Sequence, residues 1–233
     1  MKMEEAMETV AKFFNDLIGA WVPGAVFAVG LALMHLGPAQ LQSIFKFADS
    51  GAAALTAAGL LFALGHVLLA VHDHGVKTLL TWLRISKKFD ESAAKMRQSY
   101  VWFADHVKSQ QTDGGSKDWG YNDLRSVALS VTSEAASMGR RFMFVSLLCN
   151  GVGAALSIIA IDFVVCRLAS PNLLYPYDHA APWLAQVLLI IGVAVTLFKQ
   201  SEVFYSRAMT TPFSIAVAEL KFKKDPNVNK PNT

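Results

Sequence analysis

The strongest constraint on this chain is a run of 21 residues without a formal charge, from Gly51 to Val71. A helix of about 20 apolar residues crosses the hydrocarbon core of a bilayer, so this run predicts a membrane span. The run passes through His72-Asp73-His74 into a basic, amphipathic segment that continues to about Lys108. We interpret that segment as a water-exposed helix on the cytoplasmic side of the span.

Three further apolar runs have the same character, at 17–36, 142–161 and 182–198. The chain is 53% hydrophobic, and the excess over a soluble domain is concentrated in the four runs. The sequence therefore predicts an all-α polytopic membrane protein with four transmembrane helices and helical cytoplasmic extensions.

The predicted spans divide the chain into five segments. These are an N-terminal amphipathic segment at 1–16, transmembrane helices 1 and 2 at 17–72, a cytoplasmic helical hairpin at 73–141, transmembrane helices 3 and 4 at 142–198, and a cytoplasmic C-terminal helix with a disordered tail at 199–233. Proline disrupts the helical hydrogen-bond ladder, so we expect the last helix to be interrupted at Pro212.

The distribution of Lys and Arg sets the predicted orientation. Eleven of the 21 basic residues lie between positions 72 and 141, and six follow position 198. Cytoplasmic loops of membrane proteins carry an excess of Lys and Arg, which places both regions in the cytoplasm. We therefore expect a multi-pass protein of the bacterial inner membrane, with both termini cytoplasmic.

Small residues recur every four positions in the first span, at Ala20, Gly24, Ala28 and Ala32. Such a ridge lets another helix approach closely. The second span opens with a series of small residues that ends at Gly59. We predict that these positions form close helix–helix contacts.

Three histidines at the end of the second span, His66, His72 and His74, are candidate metal ligands. Their separations are two, six and eight residues, whereas helical metal sites usually contain an i, i+3 or i, i+4 pair. A metal ion would need further ligands, such as Asp162 or Glu202. The spacing favours a polar collar at the membrane interface, so we expect no metal, no cofactor and no catalytic residue.

The third span carries a polar stripe. Ser146, Asn150 and Ser157 lie near one helix face, and Asp162 closes the run at its predicted outer end. Polar groups in a span face protein or water and are candidates for function, while hydrogen bonding between helices is the alternative explanation. In an oligomer, these four residues are predicted to line a pore.

Both cysteines, Cys149 and Cys166, lie in the same apolar region. A separation of 17 residues on one helix keeps the two thiols apart and excludes a disulfide between them. Free cysteine behaves as a small hydrophobic residue when it is buried, so we interpret both as core residues.

A set of charged and aromatic residues lies where spans three and four are predicted to meet the cytoplasm: Arg140, Arg141, Glu202, Tyr205 and Arg207. Glu202 and Tyr205 are three positions apart and share a helix face. We predict that Glu202 pairs with Arg140 or Arg141, and that the set connects the spans or takes part in gating.

Three short motifs mark the spans: Pro23-Gly24 in the first, Gly65-His66 late in the second, and Arg140-Arg141-Phe142 at the start of the third. In these motifs and in its layout the chain resembles small bacterial four-span inner-membrane proteins of unknown function. Some proteins of that kind accompany anti-phage or CRISPR-type defence genes as membrane effectors. The resemblance implies a membrane-acting effector.

Three functions agree with these patterns. The leading hypothesis is a non-enzymatic homo-oligomer in membrane lipid that forms or gates a pore. The second is a non-conducting anchor or scaffold that recruits a cytosolic partner, and the third is a membrane-embedded metalloenzyme acting on lipid. A cytosolic protein or small ligand is predicted to bind within residues 76–140. The chain lacks the interleaved basic and aromatic residues of nucleic-acid binders, so no direct nucleic-acid contact is expected.

Overall fold

The computed structural model describes residues 2–47, 51–110, 119–177 and 181–222, without the side chains of residues 2–17, 47 and 222. The described chain is built from helices and contains no strand. The elements in order are α1 (Lys2–His35), α2 (Gly37–Phe47), α3 (Gly51–Val71), a π-helical turn (His72–Val76), α4 (Lys77–Trp82), α5 (Glu91–Lys95), α6 (Gln98–Ser109), α7 (Tyr121–Val131), α8 (Ser133–Ala169), a 3₁₀ turn (Pro171–Leu173) and α9 (Trp183–Phe222).

Four helical stretches of the described chain are long and apolar enough to cross a membrane: Ile18–His35, Gly51–Trp82, Ser133–Ala169 and Trp183–Lys221. The predicted apolar runs fall in these stretches, which confirms the all-α class and the four candidate spans. The amphipathic face predicted for 1–16 and the tail predicted for 223–233 lie outside the described side chains and residues.

The described residues form two compact units. The first unit contains 2–87 and 144–202, and the second contains 88–143 and 203–222. The first boundary lies between α4 and α5, and the other two fall within α8 and α9, so each of these two helices contributes residues to both units. The second unit therefore joins most of the predicted hairpin to the C-terminal half of α9.

In the first unit, α1 and α3 approach each other at two glycines. Gly24 faces the backbone carbonyl oxygen of Leu61, and Gly65 faces that of Ala20; a Cβ on either glycine would overlap the oxygen. Ala20 and Gly24 were both predicted to pack closely. Gly59 lies on another face of α3, where a Cβ would meet no atom within 4 Å. Six positions separate Gly59 from Gly65, which is about 120° around a helix.

α1 also packs against α8. The ring of Pro23 occupies the space that a Cβ on Gly151 would need. Ala28 and Ala32, the remaining predicted packing positions, are half-buried. Because these contacts are made by small or rigid residues, the helices approach closely with little loss of side-chain conformational entropy.

The second unit has an aromatic core. Phe103 and Phe213 are each 1% exposed, and Tyr121 is 3% exposed. The ring of Phe213 meets the rings of Phe103, Tyr121 and Tyr100 edge-on, at centroid distances of 5.7, 5.4 and 5.1 Å. Aromatic pairs of this kind contribute about 0.5–1.5 kcal/mol each beyond their buried area. Since Phe213 belongs to α9, the C-terminal helix is an integral part of this core.

α9 passes through Pro212 without a break, so the predicted interruption is wrong. Proline has no backbone N–H, which leaves the carbonyl oxygen of Ala208 without its helical partner. Arg125 Nε of α7 donates to that oxygen at 3.1 Å, and the Tyr121 hydroxyl donates to the neighbouring oxygen of Met209 at 3.1 Å. The proline thus provides an acceptor through which α7 is attached to α9.

We expect Arg125→Met to destabilise the second unit by about 1–3 kcal/mol, because the Ala208 oxygen loses its donor. In a Pro212→Ala background the same change should cost about 1 kcal/mol less, since alanine restores the helical N–H. Denaturant unfolding of the full chain in detergent micelles measures this double-mutant cycle. Equal costs in the two backgrounds would show that the guanidinium does not replace the missing N–H.

Candidate functional site

His72 begins the π-helical turn and is 5% exposed. Its Nδ1 lies 3.1 Å from Asp73 Oδ1, and its ring stacks on that of Phe198 at a centroid distance of 5.5 Å. A π turn inserts one extra residue into a helix and often marks a functional position. In this chain the turn places His72 in the contact between α3 and α9.

The other two histidines of the predicted cluster make local contacts. The ring of His66 meets that of Phe62 edge-on at 4.5 Å, and His74 Nδ1 lies 2.9 Å from the Ala70 oxygen. Within the described residues, His66, His72 and His74 belong to no group of three ligating side chains. A metalloenzyme centred on this cluster therefore has no geometric support.

The polar stripe of α8 is largely engaged within the chain. Ser146 is 2% exposed; its Oγ donates to the Ser201 carbonyl oxygen at 3.0 Å and lies 2.9 Å from Ser201 Oγ. Ser157 donates to the Gly153 oxygen of its own helix at 2.8 Å. Asn150 is half-buried. In a single chain, Ser146 thus serves the contact between α8 and α9.

Asp162, the fourth residue of the predicted pore, meets a histidine that the sequence analysis did not single out. Asp162 Oδ2 lies 2.8 Å from Nε2 of His35, the last residue of α1. Cys166, one turn later on α8, directs its thiol to Asp162 Oδ1 at 3.8 Å. One nitrogen, one oxygen and one sulfur atom of these residues lie within 4.8 Å of one another. We call this group the His35–Asp162–Cys166 cluster.

The connection after α8 holds the cluster in place. The Leu173 carbonyl oxygen lies 2.9 Å from His35 Nδ1. The backbone N–H of Tyr175 and the hydroxyl of Tyr177 donate to carbonyl oxygens near the end of α1, at 2.9 and 2.6 Å. Gly37 turns the chain after α1 with a φ of +78°, and the Tyr175 ring fills the space that a Cβ would need. The imidazole is therefore held by backbone contacts as well as by Asp162.

Glu202 contacts the chain segment that follows α4. Its Oε1 accepts a hydrogen bond from the Lys87 backbone N–H at 2.9 Å. This contact fixes the end of that segment against α9. The predicted ion pair between Glu202 and Arg140 or Arg141 stays a prediction.

Two further residues predicted to connect or gate the spans, Tyr205 and Arg207, contact aromatic rings of the second unit. The ring of Tyr205 meets that of Phe89 edge-on at a centroid distance of 5.9 Å. The guanidinium of Arg207 lies 5.9 Å from the ring centroid of Phe204, one turn earlier on α9. Both contacts are of a stabilising type, and neither by itself indicates gating.

The second unit contains an open cavity of about 330 Å³ between α5, α6 and the start of α7. Two lysines stand among its apolar and aromatic lining residues, which are Lys95, Tyr100, Ala104, Lys108, Trp119 and Leu124. Small-molecule sites are commonly cavities of about 300–1,000 Å³ with an apolar lining and a few polar groups. This cavity has the size and composition of a site for a small ligand.

Two lysines and one glutamate set the charge at the cavity. Lys95 Nζ lies 2.7 Å from Glu91 Oε1, and this hydrogen bond raises the pKa of Lys95. Lys108 supplies a second ammonium group. Burial raises the pKa of Tyr100, which stacks on Tyr121 at 5.3 Å and stays neutral at physiological pH. Two ammonium groups, one of them paired with the Glu91 carboxylate, and uncharged aromatic surface therefore border the same space.

No known protein family, curated protein or solved structure matches this chain. The resemblance to small bacterial four-span proteins stays a prediction. Geometry and chemistry alone therefore support the functional assignments below.

Several residues of these sites were not identified from the sequence. His35 lies at the end of the first apolar run, and Cys166 was interpreted only as a core residue. One local signal was present: Asp162 and Cys166 are four positions apart and share a face of α8. Lys95 and Trp119 stand in the segment where a ligand was predicted, but nothing in the sequence pairs them.

Proposed function

We propose that this chain is a membrane-anchored binding protein, in which four apolar helices span the bacterial inner membrane and the second unit binds a small anionic ligand. The ligand site is the cavity bordered by Lys95, Lys108 and Trp119. The proposal keeps the membrane anchor of the second hypothesis but replaces its cytosolic partner by a small ligand, the other occupant predicted for residues 76–140. The distribution of Lys and Arg supports a cytoplasmic position for the second unit.

The cavity is the observation that carries this proposal. A hydrogen bond to a charged group contributes about 1.5–3 kcal/mol, and stacking of a ring on an aromatic side chain about 1–3 kcal/mol. A ligand with one phosphate and one flat ring could contact both lysines and an aromatic ring. After the loss of translational freedom, such contacts correspond to dissociation constants in the micromolar to millimolar range.

The pore hypothesis has less support in the geometry. Ser146 is engaged with Ser201, and Asp162 with His35. A pore along α8 would need several copies of the chain. Its lining would also have to be formed by residues other than Ser146 and Asp162. It stays a prediction, and Asn150 and Ser157 are the residues of the stripe on which it now depends.

Nucleoside monophosphates are suitable probes, because each combines a phosphate with a flat ring. We expect saturable binding of at least one of them to the full chain in detergent micelles, measured by titration calorimetry. Ribose 5-phosphate, which lacks the base, should bind more weakly. The double substitution Lys95→Gln with Lys108→Gln should weaken binding at least about tenfold, which is 1.4 kcal/mol or more.

Lys88 provides the matched control, because it is an exposed lysine of the same unit that does not line the cavity. Lys88→Gln should leave the dissociation constant unchanged. The proposal is contradicted by an absence of saturable binding of every probe at millimolar concentration. Binding that the three lysine substitutions weaken equally would contradict it as well.

A further inference from the structure

We propose that the His35–Asp162–Cys166 cluster binds a transition-metal ion, with zinc as the best-fitting cation. The site is separate from the cavity of the second unit and from the histidine cluster at the end of α3. It lies where the end of α1 meets the end of α8, at the end of the spans predicted to face away from the cytoplasm.

The donor atoms are of the types that zinc prefers, namely an imidazole nitrogen, a carboxylate oxygen and a thiol sulfur. With zinc bond lengths of about 2.0–2.3 Å, the ligand atoms of a tetrahedral site lie about 3.3–3.6 Å apart. Here His35 Nε2 is 2.8 Å from Asp162 Oδ2, and Cys166 Sγ is 3.8 Å from Asp162 Oδ1. One ligand atom of each residue lies within 4.8 Å of the other two, so side-chain shifts of up to about an ångström would bring all three to a common ion.

The hydrogen bonds of His35 leave Nε2 as the ring nitrogen that is directed to the carboxylate and available to a metal ion. Nδ1 faces the Leu173 carbonyl oxygen, which can only accept, so Nδ1 carries a hydrogen. Nε2 faces Asp162 Oδ2, which accepts when it is ionised. At 2.8 Å the two atoms share a hydrogen, carried either by Nε2 or by a protonated Asp162, and a bound metal ion would take the place of that hydrogen. A backbone carbonyl that fixes one ring nitrogen while the other binds the ion is the usual arrangement of metal-ligating histidines.

Cys166 distinguishes a metal site from an ion pair. The pair of His35 and Asp162 needs no thiol, yet Cys166 points to the same carboxylate from the next turn of α8. A thiolate ligand favours zinc over magnesium or calcium, which prefer oxygen. The side chains of His35 and Asp162 are 28% and 36% exposed, so an ion can reach the site.

Zinc content of the full chain tests the proposal. The protein is purified in detergent without a histidine tag, equilibrated with zinc, dialysed and analysed by mass spectrometry of the metal. We expect one zinc ion per chain, and at least about tenfold weaker zinc binding after Cys166→Ser or Asp162→Asn. Cys149→Ser is the matched control, because Cys149 is also a buried free cysteine of α8. It should leave zinc binding unchanged.

Cobalt substitution gives a second readout that reports the thiolate itself. Cobalt(II) bound through Cys166 should show a sulfur-to-metal charge-transfer absorption in the near ultraviolet. This band should persist in Cys149→Ser and disappear in Cys166→Ser. Size-exclusion chromatography identifies any variant that has failed to fold.

Two results would overturn the proposal. The first is a zinc content of the unmodified chain no higher than that of Cys166→Ser, without the cobalt band. The second is zinc binding that folded Cys166→Ser and Asp162→Asn proteins retain in full. Either result would leave the group as a protonated ion pair between His35 and Asp162.

Discussion

Replacement of Gly65 by alanine is expected to lower the free energy of unfolding of the first unit by about 3 kcal/mol or more. A Cβ at this position would overlap the backbone carbonyl of Ala20, and backbone atoms cannot rotate away as a side chain does. α1 and α3 would have to separate, which would also disturb the contact of Gly24 with Leu61. The helix propensity gained on changing glycine to alanine, about 1 kcal/mol, is smaller than this loss.

Gly59→Ala provides the control on the same helix, because a Cβ there meets no atom within 4 Å. Its stability should be equal to that of the unmodified chain, or higher by up to about 1 kcal/mol. Denaturant unfolding and size-exclusion chromatography in mild detergent compare the two variants. Similar behaviour of Gly65→Ala and Gly59→Ala would show that α1 and α3 do not meet at Gly65.

Phe213→Ala is expected to destabilise the second unit by about 3–5 kcal/mol. The side chain is 1% exposed and contacts three other aromatic rings, so its removal leaves a cavity that rigid rings cannot fill by rotating. Because Phe213 is on α9, its loss should also loosen α7 and the neighbouring ligand cavity. Hydrogen exchange of the backbone amides of residues 121–131 measures this effect in the full chain.

Met96→Ala is the control in the second unit, since Met96 is 79% exposed. A surface substitution of this kind usually changes stability by less than about 0.5 kcal/mol. Exchange rates in α7 should therefore match those of the unmodified chain. If Phe213→Ala also left these rates unchanged, the C-terminal helix would not be part of the core of this unit.

The membrane-spanning helices could be predicted because the signal is local. Each apolar run is long enough to be recognised without knowledge of its neighbours, and all four runs lie in helices. The break expected at Pro212 is absent, and the reason lies in another part of the chain. Arg125, on a different helix, donates to the Ala208 oxygen that the proline leaves without a partner.

The packing residues of α3 show the same limit. Gly59 and Gly65 are both glycines within the same apolar run, so the sequence alone makes both of them compatible with close packing. They lie about 120° apart around the helix, so only one of them can face α1. Which glycine faces the neighbour depends on how α3 is rotated against α1, and that rotation is set by all contacts of the bundle together.

The candidate sites could not be predicted from the sequence, because their residues are far apart in the chain. His35 and Asp162 are separated by 127 positions, and no periodicity connects residues so far apart. The cavity likewise combines Lys95 with Trp119 and Leu124, which are 24 and 29 positions further along the chain. The hypothesis of a ligand within residues 76–140 identified the segment, but the tertiary structure was needed to define the site.

The sequence by itself determined the helical class, the number of candidate spans and the distribution of charge along the chain. Hydrophobicity and charge are properties of each residue, and they accumulate over a local window. Only the tertiary structure decided that the C-terminal helix completes the second unit, that Ser146 faces Ser201, and that His35, Asp162 and Cys166 meet. These outcomes depend on distances between residues far apart in the chain, which packing sets and local composition does not.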